Sequence, residues 1–257
     1  MDELVKLRSL LAELKARANW GSGAPTAEEI AARDEWVRLR NQELRIERQA
    51  KEREDAKRHA ANEYARTTGV PPALMFKGFG SFKVETDAQR AAIAACEEFR
   101  ETWWDKAQRG EHSSLWILGP FGTGKTHLAS ALVTTLYLED GVAARIVTPK
   151  ALIRQLRDTW GQRGKEQALL EDLAGLDVLV LDDVGTSFGS DAEIVQLFEV
   201  IDMRYSRARP TLLTSNLSPS QLRATLGDRT YDRLRHGASA IRLRGESFRR
   251  PAEVGVA

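Results

Sequence analysis

Residues 119–126 read GPFGTGKT, and residues 178–183 read VLVLDD. Glycines at 119, 122 and 124 let a backbone curl so that successive N–H groups face phosphate oxygens, and Lys125 adds a mobile positive charge for the β/γ end. Thr126 offers a hydroxyl to Mg²⁺, and Pro120, Phe121, Thr123 and His127 complete the expected binding loop. The paired acids supply the rest of such chemistry. Asp182 would hold Mg²⁺ through water, and Asp183 would polarise the water that attacks the terminal phosphate.

Those residues need a scaffold. Residues 115–118 (LWIL) are short and apolar enough for a buried strand, and residues 127–139 have helical composition, giving strand, loop, helix. The apolar run at 178–181, bounded by Gly175 and Gly185, suits a central parallel strand, with its acids at the carboxyl end where ligands bind. Further strands are expected at 144–148, 211–215 and 240–243, which makes an α/β domain with a five-stranded, mostly parallel sheet. The run TLLTSN ends in Asn216, whose amide can orient water beside a γ-phosphate; asparagine at a strand end is also a common turn residue. Residues 229–250 contain seven arginines against Asp232 and Glu246, with no lysine. The planar guanidinium fork suits phosphate, so this cluster is expected to face nucleotide, DNA or both, a solvated basic tail being the alternative.

The 257 residues suffice for one well-filled α/β domain and a smaller appendage. A net charge of +1 means that any nucleic-acid contact must be a local patch. The N-terminus alternates charge with leucine, lacks an apolar signal core, and no stretch approaches a membrane span, so a cytoplasmic location is expected. The lone Cys96 cannot form an internal disulfide and reads as a small residue packed on a helix. His59, His112, His127 and His236 have no metal-ligand spacing, so no zinc site is expected.

Leu4, Leu7, Leu11 and Leu14, with Leu10 beside them, form a helical stripe over residues 2–18. Thr26 and Glu29 form a capping box that opens a second helix carrying Ile30, Trp36, Val37, Leu39, Leu44 and Ile46. Residues 47–63 hold five Lys/Arg and five Asp/Glu, a solvated helix or a flexible connector. The two apolar stripes need each other, the ATPase domain or a partner protein; Leu7, Leu11 and Trp36 are the partner-binding candidates. The proline- and glycine-punctuated residues 67–82 mark a linker, so the expected division is 1–66 helical, 67–82 linker and 83–257 ATPase.

In their order, TGVPP, GPFGTGKTHLA, RDTW, VLVLDDVG, LLTSN, LGDRTYDRLR and RGESFR resemble the AAA+ replicative helicase loaders of the DnaC type and, more distantly, the IstB transposition helper ATPases. The resemblance spans nearly the whole chain. It implies an AAA+ fold, Mg²⁺-dependent and slow ATP hydrolysis with ATP and ADP as ligands, and assembly into a spiral or ring. It also implies a DnaB-type hexameric helicase and single-stranded DNA as partners. Within the family pattern, Asn216 looks like the sensor of the γ-phosphate and Arg233 like the finger inserted into a neighbour's site. Arg249 looks like the second sensor, acting in its own site, and Trp160 falls where the family carries an aromatic on a single-stranded-DNA-facing loop, a buried core tryptophan being the alternative. Two departures stand out. Many members have Glu where this chain has Asp183, which points to slower water activation. The chain stops eight residues after Arg249, where many AAA+ proteins continue into a helical lid, so an initiator with a separate DNA-binding domain is not expected.

Four functions compete. The first is an ATP-dependent loader that places a replicative helicase on single-stranded DNA during replication initiation. The second is an IstB-like transposition helper on duplex DNA, which the charged segment and the Pro-Pro boundary fit less well. A P-loop kinase or GTPase lacks a guanine-reading NKxD motif here and leaves the arginine segment unexplained. A non-hydrolysing adaptor with structural ATP is the fourth.

Overall fold

The computed structural model describes residues 2–18, 24–185, 191–245 and 247–248. The chain divides into two compact units, Met1–Glu63 and Tyr64–Ala257.

In the first unit, helix α1 (Asp2–Arg17) packs on the N-terminal half of helix α2 (Ala27–Thr68). Thr26 and Glu29 exchange the reciprocal bonds of a capping box, Thr26 N–H to Glu29 Oε2 at 2.8 Å and Glu29 N–H to Thr26 Oγ1 at 3.3 Å. Leu14, Ala18 and Ala32 form the small core, with Trp36 and Leu39 against it. Arg33 Nε donates to the Ala18 carbonyl at 2.9 Å, and Arg8 donates to Glu43 and Glu47, both at 2.8 Å. Leu7 and Leu11 are buried. This corrects the expectation that they present a partner-binding surface: a leucine stripe beside a second amphipathic helix removes most apolar area from water by facing it. Among the described residues of this unit, the large apolar side chains left exposed are Val5, Leu10, Ile30, Val37 and Leu44. Residues 48–60 are exposed on a continuous helix, which decides between solvated helix and flexible connector.

The second unit is built on five strands: β1 (Ser114–Leu118), β2 (Ala144–Val147), β3 (Val178–Leu181), β4 (Thr211–Ser215) and β5 (Ala238–Arg242). Every pairing is parallel and the order is β2-β3-β4-β1-β5. Because side chains alternate along a strand, Leu115 and Ile117 pack on one face with helices α3 (Asp87–Gln108) and α4 (Lys125–Leu138). Trp116 and Leu118 pack on the other with α5 (Pro149–Asp158), α6 (Lys165–Gly175), α7 (Asp191–Ser206) and α8 (Pro219–Arg235). Burial on both faces is what the unbroken apolar runs required.

Residues 67–82 do not behave as a linker. Val70 and Phe82 are core residues of this unit, Arg145 Nε donates to the Thr67 carbonyl at 3.0 Å, and two 3₁₀ turns, Pro72–Leu74 and Phe79–Ser81, carry the chain between them. Proline and glycine here shape turns around buried apolar anchors. Below the sheet, Arg204 is fully buried and donates to the carbonyls of Leu173, Leu176 and Pro210, each at 2.7 Å, and to Thr211 Oγ1 at 3.0 Å. Burial, with Arg209 adding to it, pulls this guanidinium down to about 9. It ties the end of α6 to the start of β4, satisfying carbonyls that a helix end leaves unpaired.

Candidate nucleotide site

β1 ends at Leu118, and residues 119–124 turn directly into α4. Two glycines have specific spatial reasons. At Gly119 a Cβ would lie 2.4 Å from the Leu243 carbonyl oxygen, and at Gly122 (φ +77°) it would lie 1.8 Å from Ser247 Oγ. The segment after β5 therefore lies directly on the loop, and the Phe248 N–H donates to the Gly122 carbonyl at 3.0 Å. Lys125 is buried, and its Nζ donates to the carbonyls of Gly119 (2.9 Å) and Pro120 (2.8 Å). Anionic phosphate oxygens would be stronger acceptors for that ammonium. Thr123 Oγ1 bonds the Pro120 carbonyl at 2.9 Å, so its hydroxyl braces the loop.

The carboxyl end of β3 brings Asp182 to Thr126. Thr126 Oγ1 lies 3.0 and 3.1 Å from the two Asp182 oxygens, and Thr214 Oγ1 donates to Asp182 Oδ1 at 2.6 Å. Burial pushes the Asp182 carboxyl above the ordinary carboxylate range, the Asp183 charge adds to this, and the bonds from Thr214 and Thr126 oppose it. A buried carboxylate beside a hydroxyl is a hard-oxygen donor set of the kind Mg²⁺ shares with phosphate and water, so these residues fit that ion. Asp183 is exposed, has φ +56°, and its backbone N–H donates to Thr214 Oγ1 at 2.9 Å. Positive φ costs an L-residue energy, less for aspartate than for most.

A cavity of about 690 Å³ joins Lys125, Thr126, Asp182, Asp183 and Thr214 to Pro71, Leu74, Phe82, Thr148 and Phe248. Its size suits a nucleotide-sized ligand. His127 lines it with its ring 5.4 Å from that of Phe82 and its Nε2 3.0 Å from Ser81 Oγ. Burial, and secondarily Lys77, pulls His127 below its ordinary value, so the imidazole is neutral at physiological pH.

Other expected site residues lie elsewhere. Asn216 follows the end of β4 and lines a neighbouring cleft with Pro120, Phe121, Arg242 and Arg244; its Oδ1 lies 3.2 Å from where a Gly185 Cβ would be. From β4 the polar side chain in the main cavity is Thr214, which sequence reasoning missed although it lies within the same LLTSN run. Phe82 and Phe248 were missed too, because nothing local marks an aromatic as a cavity wall. Arg233 lies near the opposite end of the sheet, in a small cavity with Ser114 and His112, a strand's length (roughly 15 Å) from the phosphate loop. Trp160 is 55% exposed in the turn after α5, which excludes the buried-core reading. Arg249 lies outside the described residues. No helix among the described residues is long and apolar enough to cross a membrane, and no cluster of His, Cys, Asp or Glu suited to a metal ion occurs among them.

The family model of the IstB-like ATP binding protein matches residues 24–254. The replicative helicase loader DnaC of Escherichia coli strain K12 is 32% identical over 173 residues, covering 67% of this chain and 68% of that protein. Among solved structures, the DnaC helicase loader superposes with a TM-score of 0.61 at 23% identity, over 68% of this chain and all of the other. The DnaI structure gives a TM-score of 0.56 at 25% identity, over 69% of this chain and 93% of the other.

Proposed function

Because the chain belongs to the IstB-like ATP-binding family and carries the AAA+ fold, we propose that it hydrolyses ATP to load a DnaB-type replicative helicase onto single-stranded DNA during replication initiation. The observation that carries the reading is the division of the site. The phosphate loop, Thr126 and Asp182 lie at one end of the sheet and Arg233 near the other, away from its own subunit's phosphate loop, which supports its action on a neighbouring subunit's nucleotide.

In this reading, Lys125 leaves the Gly119 and Pro120 carbonyls for the β/γ-phosphates, and loop N–H groups hold the remaining oxygens. Thr126 and Asp182 would hold Mg²⁺, which when bound would supply positive charge to offset that of the phosphates. Asp183 orients the attacking water, with its backbone fixed by Thr214. Phe82, Leu74 and Phe248 offer apolar surface to the base. Asn216 senses the terminal phosphate from the adjacent cleft, and Arg249 acts as the second sensor in its own site, as the family pattern implies. Trp160, exposed beside Arg157 and Arg163, stacks on a base of single-stranded DNA. The helical unit docks on the helicase through the apolar side chains it leaves exposed, Ile30, Val37 and Leu44 among them.

The second reading, an IstB-like transposition helper on duplex DNA, is favoured by the family match itself. Co-purification with a DnaB-type helicase, with and without ATP, is expected to show nucleotide-dependent capture. Capture of a transposase and not of the helicase would select the second reading.

A further inference from the structure

Arg233 lies in the last turn of α8, and two residues of α7 one turn apart, Asp202 and Tyr205, receive its guanidinium. Its Nε donates to Asp202 Oδ1 at 3.0 Å, and its Cζ lies 4.3 Å from the centre of the Tyr205 ring. Tyr205 is held from two further sides. Its ring stacks on His112 with centroids 4.0 Å apart and planes 6° apart, and its hydroxyl shares a 2.8 Å hydrogen bond with His236 Nδ1. His112 leads into β1 and His236 caps the end of α8, so three separate segments meet at one tyrosine.

We propose that Asp202 and Tyr205, backed by His112 and His236, form a bracket that orders Arg233 before it meets a neighbour's nucleotide, with Tyr205 as the positioning residue. The inference rests on the reading that Arg233 acts in trans. A long arginine side chain loses conformational freedom when fixed, and an arm ordered in advance avoids that loss at the moment of reaction. The bracket suits an arm that must still grip phosphate. Asp202 engages Nε, the nitrogen nearest the chain, whereas the two terminal nitrogens form the fork that matches phosphate oxygens. The aromatic face attracts the cation without adding a competing negative charge. Arg233 keeps 38% of its side chain exposed, so an incoming subunit can reach it.

The test is steady-state ATP turnover by the full chain under assembling conditions, with nucleotide affinity measured alongside. Arg233→Ala is expected to lower kcat about a hundredfold or more. Tyr205→Leu is expected to lower kcat about tenfold at unchanged nucleotide affinity, and Tyr205→Phe, which keeps the ring, less than about threefold. The Arg233→Ala/Tyr205→Leu double variant should be no slower than Arg233→Ala alone, because both changes act through one arm. Mixing Tyr205→Leu with Lys125→Ala should restore turnover, since the second protein presents an intact bracket to the first protein's intact loop. Wild-type turnover in Tyr205→Leu, or a loss that multiplies that of Arg233→Ala, would overturn the bracket. Wild-type turnover in Arg233→Ala, or no turnover by the wild type, would instead overturn the trans reading and the bracket with it. Should Tyr205→Leu not fold, Asp202→Asn takes its place, with a kcat loss expected in the wild-type background and none in Arg233→Ala; any other pattern overturns the proposal.

Discussion

Thr126 Oγ1 reaches both carboxylate oxygens of Asp182, at 3.0 and 3.1 Å, across 56 positions of sequence. The hydroxyl and carboxylate that would share a metal ion are thus adjacent, and burial holds the carboxyl above its ordinary range. The sign of the linkage follows. A carboxyl whose folded value is raised lends stability below its unfolded value, and that stability is lost as pH rises through the folded value. Asp182→Asn should therefore leave the ligand-free protein at least as heat-stable as wild type at pH 7 and remove this part of its pH dependence. It should weaken Mg²⁺-dependent nucleotide binding about tenfold or more. Melting curves across pH 4 to 8, with and without Mg²⁺-ATP, measure both effects.

Lys125 and Asp183 line one cavity, and in the proposed function their tasks are separable. Lys125→Ala should weaken ATP binding about a hundredfold, because the loop loses its side-chain cation. Asp183→Asn should bind ATP within about threefold of wild type and lose turnover about a hundredfold. Equal losses of affinity in the two variants would refute the assignment; fluorescent-nucleotide titration beside a phosphate-release assay distinguishes them.

Gly122→Ala should damage the site through shape alone. The added Cβ would lie 1.8 Å from Ser247 Oγ, at a φ of +77° that costs an L-residue roughly 1–2 kcal/mol. We expect a melting temperature lower by a few degrees and nucleotide affinity reduced about tenfold. An unchanged affinity would show that the contact between Ser247 and the loop does not support binding.

Cys96 is wholly buried, and burial, with Glu97 adding to it, pushes its thiol up to about 12. At pH 8 the folded protein should resist thiol reagents, since the thiolate is the reactive form, and should react once unfolded in denaturant. Rapid labelling of the native protein would contradict this packing.

The helical unit allows its fold and its docking to be separated. Leu11→Asp should unfold it, because Leu11 is buried, whereas Leu44→Asp should leave it helical, because Leu44 is 47% exposed. Both should lose helicase capture. Removing residues 1–63 should abolish capture while leaving ATP affinity within about twofold, since the nucleotide cavity lies within the second unit. Circular dichroism and pull-down separate the outcomes, and undiminished capture by the truncated protein would move docking onto the ATPase unit.

Whatever depends on neighbours along the chain was legible in the sequence. The phosphate loop is contiguous, so its glycines, lysine and threonine declare their geometry together, and apolar runs ending in turn residues marked the five strands to within a few residues. The capping box at Thr26 was legible for the same reason. Tertiary structure decided what strand register and buried area control. Pairing of Ile117 with Thr214 sets the end of β4 beside the phosphate loop, which brings Thr214 to Asp182 and leaves Asn216 in the next cleft. Only packing showed that Val70 and Phe82 anchor residues 67–82 in the core, that Leu7 and Leu11 are buried, and that Arg204 satisfies the carbonyls of Leu173, Leu176 and Pro210. Periodicity identifies an apolar face, but which surface covers it is settled by the area each arrangement takes out of water.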